Sequence, residues 1–122
     1  MNANVTKPTD ITLRTKSRLL VVTFEDGASF EFDFEYLRVH SPSAEVKGHG
    51  PGQETLQTGK ENVAITAVDP VGHYAVRLVF DDGHASGLYT WSYLRELGDN
   101  MQANWRRYLD RLQAAGYPRK KP

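Results

Sequence analysis

The sequence repeats one short pattern, and this repeat restricts the fold more than any other feature. In each copy an aromatic residue stands two positions before an Asp-Gly pair, and a Tyr-Leu-Arg run follows after a spacer of similar length, at residues 24–27 with 36–38 and at 80–83 with 93–95. Asp-Gly is typical of tight hairpin turns, because both turn positions need a positive φ. We therefore expect a unit of strand, tight turn, strand and short helix to occur twice.

Apolar and polar residues alternate around each Asp-Gly pair, which is the pattern of half-buried strands. We predict strands at residues 11–14, 18–24, 29–33, 62–69, 74–80 and 86–89, and helices at 34–38, 91–97 and 100–115. Asp33, Thr90 and Asp99 are suitable N-caps for these helices, and Gly98 suits the C′ position of helix 91–97. The prediction is an α+β fold in which two hairpin–helix units build one antiparallel or mixed sheet, with the C-terminal helices packed on one side.

The chain length of 122 residues suits one domain, and the pattern divides the chain into four segments. We expect a flexible N-terminal arm at residues 1–9, the folded domain at 10–98 and an amphipathic helix at 99–116. Residues 117–122 should be a disordered tail. Residues 39–61 show no periodicity and are rich in glycine, and loops of this length are often functional. The apolar face of the last helix consists of Met101, Trp105, Tyr108, Leu109 and Leu112.

The composition excludes several classes of function. Fifteen basic residues balance 15 acidic ones, whereas proteins that hold nucleic acid through its phosphates usually have a basic excess, so we expect no nucleic-acid partner. The absence of cysteine rules out disulfides, thiolate catalysis, iron–sulfur ligation and cysteine-based zinc sites. There is no apolar run as long as a membrane span, and residues 1–10 lack the apolar stretch of a secretory signal. We therefore expect no membrane contact and a cytoplasmic location.

A family resemblance rests on two motifs, the run from Leu37-Arg38 through Ser41-Pro42-Ser43 to Val46 and the later Asp82-Gly83-His84. Over about residues 9–98 the chain resembles the gamma-butyrobetaine-hydroxylase-like N-terminal domain. In full hydroxylases this domain precedes an iron- and 2-oxoglutarate-dependent catalytic domain. Short stand-alone bacterial members of unknown function also exist, and the chain is most similar to those. Related domains are appended to P-loop scaffold ATPases of iron–sulfur cluster assembly.

The resemblance also implies where a metal would bind. In the hydroxylases the domain holds zinc through three cysteines and one histidine, and these positions fall on Ser41, Ser43, Val46 and His84. Hydroxyls are poor zinc ligands at neutral pH and valine is not a ligand. We therefore expect a degenerate site and no cofactor, with zinc or another metal as the weaker expectation. The catalytic domain has no counterpart in this sequence, so hydroxylase activity is not expected.

The histidines offer a different hypothesis. His40, His49 and His84, with Glu45 as a further ligand, would form a metal or small-ligand site if folding brought them together. Catalysis is not indicated, because Ser41 lies near His40 but no third residue is arranged to orient that histidine. We therefore predict no catalytic residues.

Two segments are candidates for binding a partner protein. The glycine-rich loop matches neither a Walker loop nor a Rossmann fingerprint, and a partner-binding role is our preferred functional reading of it; it consists of His49, Gly50, Pro51, Gly52 and Gln53. The basic residues Arg106, Arg107 and Arg111 would suit an acidic partner, although such a face is usually only solvated.

The leading functional hypothesis is a non-catalytic protein-interaction module with an unidentified protein partner. An accessory role in metal-cofactor or iron–sulfur assembly is implied by the resemblance alone. The alternative is a metal- or small-ligand-binding protein that uses His40, His49 and His84. The sequence leaves the pathway and the oligomeric state open.

Overall fold

The computed structural model describes residues 7–48 and 54–119. Its elements are β1 (Pro8–Arg14), β2 (Leu19–Phe24), β3 (Ser29–Asp33), α1 (Phe34–Val39), α2 (Ala44–Lys47), β4 (Ile65–Val71), β5 (Ala75–Phe80), β6 (Leu88–Thr90), α3 (Trp91–Asp99) and α4 (Met101–Ala114). The α+β class and the two hairpin–helix units that the sequence predicted are confirmed. In each unit the strand predicted before the hairpin, at 11–14 or at 62–69, pairs with that hairpin, so the order is three strands followed by a helix.

The strands form two antiparallel sheets of three, ordered β1-β2-β3 and β4-β5-β6. We had predicted that both hairpins would join in one sheet. Within the described residues each unit instead pairs its hairpin with its own preceding strand, β1 on β2 and β4 on β5. This third strand occupies the outer edge of β2 or β5, so that edge of the hairpin does not join the other unit.

The two units repeat each other down to single hydrogen bonds. The register of β1 on β2 shifts between Pro8 and Asp10, and β4 on β5 shifts at the equivalent place. At each shift a threonine hydroxyl donates to a carbonyl of the neighbouring strand: Thr9 to Thr23 over 3.3 Å and Thr66 to Val79 over 3.2 Å. The hairpin glycines adopt nearly the same positive φ, 89° in one unit and 91° in the other. The sequence repeat therefore reflects a structural repeat.

Each unit also supplies an arginine that forms an ion pair with the hairpin aspartate of the other unit. Arg38 of α1 contacts Asp82 at 2.8 Å in the second hairpin, and its guanidinium lies 6.0 Å from the centre of the Phe80 ring. Arg95 of α3 contacts Asp26 at 2.9 Å in the first hairpin, next to an aromatic ring at the same position of that unit. These reciprocal arginines connect each helix to the opposite hairpin.

Two tyrosines form a similar reciprocal pair of hydrogen bonds between α1 and α3. The hydroxyl of Tyr36 in α1 donates to the carbonyl of Leu97 in α3 over 2.6 Å. The hydroxyl of Tyr93 in α3 donates to the carbonyl of His40 at the end of α1, also over 2.6 Å. Each tyrosine is the first residue of its Tyr-Leu-Arg run, so the repeated motif holds the two helices against each other.

Both sheets and the two helices that follow them, α1 and α3, share the main core. Its buried members are Leu20, Val22, Phe24, Phe32, Phe34, Tyr36, Leu37, Val63, Ile65, Val76, Leu78, Phe80, Tyr89, Leu94 and Leu97. A smaller cluster of Val39, Tyr108 and Leu112 attaches α4 to the end of α1. In the part of the chain that the structure describes, no helix is long and apolar enough to cross a membrane.

Three predicted boundaries were wrong. β1 begins at Pro8, inside the predicted flexible arm, because its first residue pairs with Phe24. Helix α3 continues through Gly98 to Asp99. A Cβ at Gly98 would lie 2.7 Å from the Phe30 ring, so this glycine is required for packing within the helix and does not end it.

The predicted disordered tail is the third wrong boundary, because residues 117–119 are packed against the domain. The amide of Tyr117 donates to the carbonyl of Leu112 over 2.9 Å. Arg119 forms two hydrogen bonds with the buried carboxylate of Glu35 and lies over the Trp105 ring. Residues 1–6 of the predicted arm and 120–122 of the predicted tail lie outside the described residues.

Candidate functional site

The Ser-Pro-Ser segment connects α1 to α2 and faces the connection between β5 and β6. Ser43 is the N-cap of α2, and its hydroxyl accepts the amide of Glu45 over 3.2 Å. On the opposite side the Asp82 side chain accepts the amide of His84 over 3.1 Å, which fixes the backbone after the hairpin glycine. Local hydrogen bonds between side chains and backbone amides therefore position both segments that form the site. We call the side chains of Ser41, Ser43, Glu45, His84 and Ser86 the serine–histidine cluster.

The cluster is a connected set of hydrogen bonds centred on His84. Its Nε2 lies 2.8 Å from Oγ of Ser41, and its Nδ1 lies 2.9 Å from Oε1 of Glu45. A carboxylate is only an acceptor, so Nδ1 carries the hydrogen and Nε2 accepts from the Ser41 hydroxyl. The hydroxyls of Ser43 and Ser86 are 2.8 Å apart and form a further hydrogen bond between the same two segments of the chain. The cluster thus joins α1 and α2 to the second sheet.

Burial and charge both favour the neutral imidazole of His84. Burial lowers its pKa below the usual value and the Arg38 cation lowers it further, against the opposing effects of Glu45 and Asp82. A neutral ring at physiological pH is consistent with one nitrogen donating and the other accepting.

The cluster does not fit zinc. The three positions where the resemblance implies cysteine ligands are occupied by two hydroxyls and the buried isopropyl group of Val46. Both ring nitrogens of His84 are already engaged, by Ser41 and by Glu45. Within residues 7–48 and 54–119, no three His, Cys, Asp or Glu side chains stand where they could hold a metal ion. Hydrogen bonds among side chains connect the Ser-Pro-Ser segment and α2 to the segment between β5 and β6.

The order Ser41, His84 and Glu45 is that of a serine-hydrolase triad, which the sequence did not indicate because His84 lies 43 positions from Ser41 and 39 positions from Glu45. Access argues against that chemistry. Ser41 is fully buried, and a Cβ at Gly87 would lie 2.4 Å from its Oγ. A nucleophile needs room within about 3 Å for a reacting carbon and an oxyanion. The packing around Ser41 leaves no such room.

His40 does not join this cluster. Nδ1 of His40 lies 2.9 Å from the Tyr36 carbonyl, and its ring packs against the Tyr36 ring at a centroid distance of 4.6 Å. His49 and the remaining residues of the predicted partner-binding loop, 50–53, lie outside the described residues. Ser41, Ser43 and His84 are brought together as the resemblance implied, while Ser86 was missed because a lone serine carries no sequence signal.

A cleft of about 380 Å³ opens between the end of α1, α2, residues 54–57 and α4. Apolar side chains of Val39, Val46 and Leu56 form part of its lining. The cations Lys47, Arg107 and Arg111 line it as well. We call this concavity the basic cleft. Its lining residue Val46 belongs to α2, and the N-cap of that helix, Ser43, is part of the serine–histidine cluster.

The charge of the basic cleft acts on His40, which is one of its lining residues. Burial lowers the pKa of His40, and the nearby cations Lys47, Arg107 and Arg111 lower it further, whereas the hydrogen bond to the Tyr36 carbonyl opposes this. His40 is therefore an uncharged member of the lining at neutral pH.

Comparison with known proteins gives a family but no activity. The sequence model of one family, described as gamma-butyrobetaine hydroxylase-like, N-terminal, matches residues 11–95. Two proteins with NMR solution structures are similar: one is 48% identical, with 99% of this chain and 90% of that chain covered, and the other is 44% identical, with 98% and 94% covered. Both have a TM-score of 0.83.

A crystal structure from Acidithiobacillus ferrooxidans is also similar. That protein, of unknown function and from the DUF971 family, is 42% identical, with 75% of this chain and 92% of that chain covered and a TM-score of 0.64. Among curated proteins, none matches the chain significantly.

Proposed function

Because the chain belongs to the gamma-butyrobetaine hydroxylase-like N-terminal family, we propose that it is a non-catalytic protein-interaction module of the cytoplasm. Its known structural neighbours include a protein of unknown function, so the pathway is part of the proposal. The resemblance to domains appended to iron–sulfur scaffold ATPases makes metal-cofactor or iron–sulfur assembly the pathway to test first.

The chemistry of the serine–histidine cluster supports a non-catalytic role. Its serine next to the histidine is fully buried, and the second hydroxyl, on Ser43, is bonded to Ser86. The imidazole is held between Ser41 and Glu45. These groups stabilise the connection between the two units and have no space for a substrate.

The observation that carries the proposal is the basic cleft. It is a concave surface with cations on its rim and apolar side chains in its lining, and it is formed by α2, the segment after residue 53 and α4. Binding surfaces combine such apolar area with a few polar groups that fix orientation. The cleft is therefore the surface that we expect a partner protein to cover.

The test is to isolate the partner and rebuild the complex from purified components. The full chain is used for affinity capture in its native cell, and each captured protein is then mixed with purified chain and analysed by light scattering. We expect one partner to form a stoichiometric complex in which hydrogen exchange slows at Leu56 and Asn104 in the cleft. If no captured protein forms a complex from purified components, the interaction-module proposal is wrong.

The metal content of the protein is measured alongside the capture experiment. Untagged chain is analysed by native mass spectrometry, and the interaction-module proposal predicts no stoichiometric metal. One bound metal per chain that is lost in His84→Ala would instead support the metal-binding alternative.

A further inference from the structure

Three cations of the basic cleft have no ionic partner among residues 7–48 and 54–119. Lys47 ends α2, whereas Arg107 and Arg111 lie one turn apart on α4. No ion pair within 4.0 Å joins any of them to an acidic group of the described residues. Glu54 also lines the cleft but forms no such pair with them. With three cations and one carboxylate, the lining of the cleft therefore has an excess of positive charge.

This arrangement has a cost within the folded chain. Like charges four residues apart on a helix destabilise it, and Arg107 and Arg111 are such a pair. By contrast, five other arginines of the described residues contact a carboxylate, among them Arg38, Arg95 and Arg119. A carboxylate from outside the chain would remove the repulsion, since it would lie between two cations.

The shape of the cleft limits what can enter it. An α-helix with its side chains is about 10 Å across, which is too wide for a concavity of about 380 Å³. Side chains of an extended segment fit, and apolar neighbours of the acidic residues would contact Val39, Val46 and Leu56. Nucleic acid would instead need a basic surface that continues along a phosphate backbone, whereas the whole chain has zero formal net charge.

We propose that the basic cleft binds an extended acidic segment of the partner protein, whose carboxylates contact Lys47, Arg107 and Arg111. This inference rests on the proposed function and names the chemistry of the partner. His40 provides an independent reporter, because the same three cations act on it. A bound carboxylate cancels part of their field, so the pKa of His40 rises when the segment binds.

The test is a titration of isotope-labelled full-length chain with blocked hexaglutamate peptide, followed by NMR. The control peptide is hexaglutamine. We expect amide shifts at Leu56 and Asn104, a rise in the His40 pKa, and affinity that falls with added salt. In the double variant Arg107→Gln, Arg111→Gln we expect affinity to fall about tenfold or more.

Arg106→Gln is the matched control, because Arg106 is exposed on the same helix but is absent from the cleft lining. Dispersed amide spectra of all variants establish that they are folded. Equal weakening by Arg106→Gln, or peptide shifts away from the cleft, would overturn the assignment. Succinate, inorganic phosphate or a short single-stranded DNA that binds as tightly as hexaglutamate would overturn the claim that a protein segment is the ligand.

The purified complex separates this inference from the proposal on which it rests. A complex that forms equally well with the Arg107→Gln, Arg111→Gln variant overturns the cleft assignment and leaves the interaction module standing. A complex that weakens with this variant and not with Arg106→Gln supports both.

Discussion

Replacing Asp82 with asparagine removes one charge from a partly buried ionic cluster while keeping the shape of the hairpin. Oδ2 of Asp82 contacts Nε of Arg38 at 2.8 Å and Nζ of Lys60 at 2.7 Å, and Oδ1 accepts the amide of His84. Burial would raise the pKa of Asp82, but hydrogen bonds from Lys60, the His84 amide and Arg38 outweigh it and lower the pKa from 3.8 to about 2. Asparagine keeps the Oδ1 acceptor but has an NH2 donor in place of Oδ2, so the change removes the charge together with the two hydrogen bonds that Oδ2 accepts.

The pKa of Asp82 sets the size of the effect. One pKa unit corresponds to about 1.4 kcal/mol, so the charged carboxylate contributes at most about 2 kcal/mol to the free energy of unfolding, and less after screening by solvent at this partly exposed position. The folded pKa is the lower one, so this stabilisation is complete above the unfolded value of 3.8 and is lost as the pH falls towards about 2. Asp82→Asn should therefore cost about 1–2 kcal/mol at neutral pH and progressively less in acid.

The assay is reversible urea unfolding of both proteins across this pH range, with Asp26→Asn as the matched control. Asp26 occupies the same position in the first hairpin, but its side chain is 46% exposed, compared with 22% for Asp82. Exposed ion pairs contribute little, so we expect a smaller loss from Asp26→Asn. A loss from Asp82→Asn that does not change with pH, or equal losses at the two sites, would refute the reasoning.

Three further predictions concern packing and the serine–histidine cluster. Gly98→Ala should lower the free energy of unfolding by about 1–2 kcal/mol in urea titrations, although alanine favours helix, because the new methyl group overlaps an aromatic ring; a gain in stability would contradict this. His84→Ala should cost about 1–3 kcal/mol in thermal unfolding, since the buried Ser41 hydroxyl loses its acceptor, and an unchanged midpoint would count against it. The triple change Ser41→Cys, Ser43→Cys, Val46→Cys should bind one zinc in native mass spectrometry, because thiolates replace the poor ligands beside His84; lack of zinc would show that the loop does not place them tetrahedrally.

The local pattern of the sequence determined much of the fold. Asp-Gly turns and alternating residues placed both hairpins and the helices after them, because turn geometry and strand burial depend on near neighbours in sequence. The pattern failed at Gly98, whose position resembled a helix end. Its role depends on the Phe30 ring, 68 residues earlier, and a local signal contains no information on that contact.

The site was predicted only in part for a similar reason. The resemblance placed Ser41 with His84, but the role of Glu45 depends on α2, a helix of four residues in a segment without visible periodicity. The basic cleft needs Lys47 beside Arg107 and Arg111, although these lie about 60 positions apart. The sequence indicated the arginines as a basic face, and folding supplied the concavity.

The reciprocal arginines have a consequence for how the domain comes apart. If the second unit unfolds, Asp26 loses Arg95 and Arg38 loses Asp82, so each half leaves the other with an unmatched ion. The halves therefore melt together, and a fragment containing one of them is incomplete by itself.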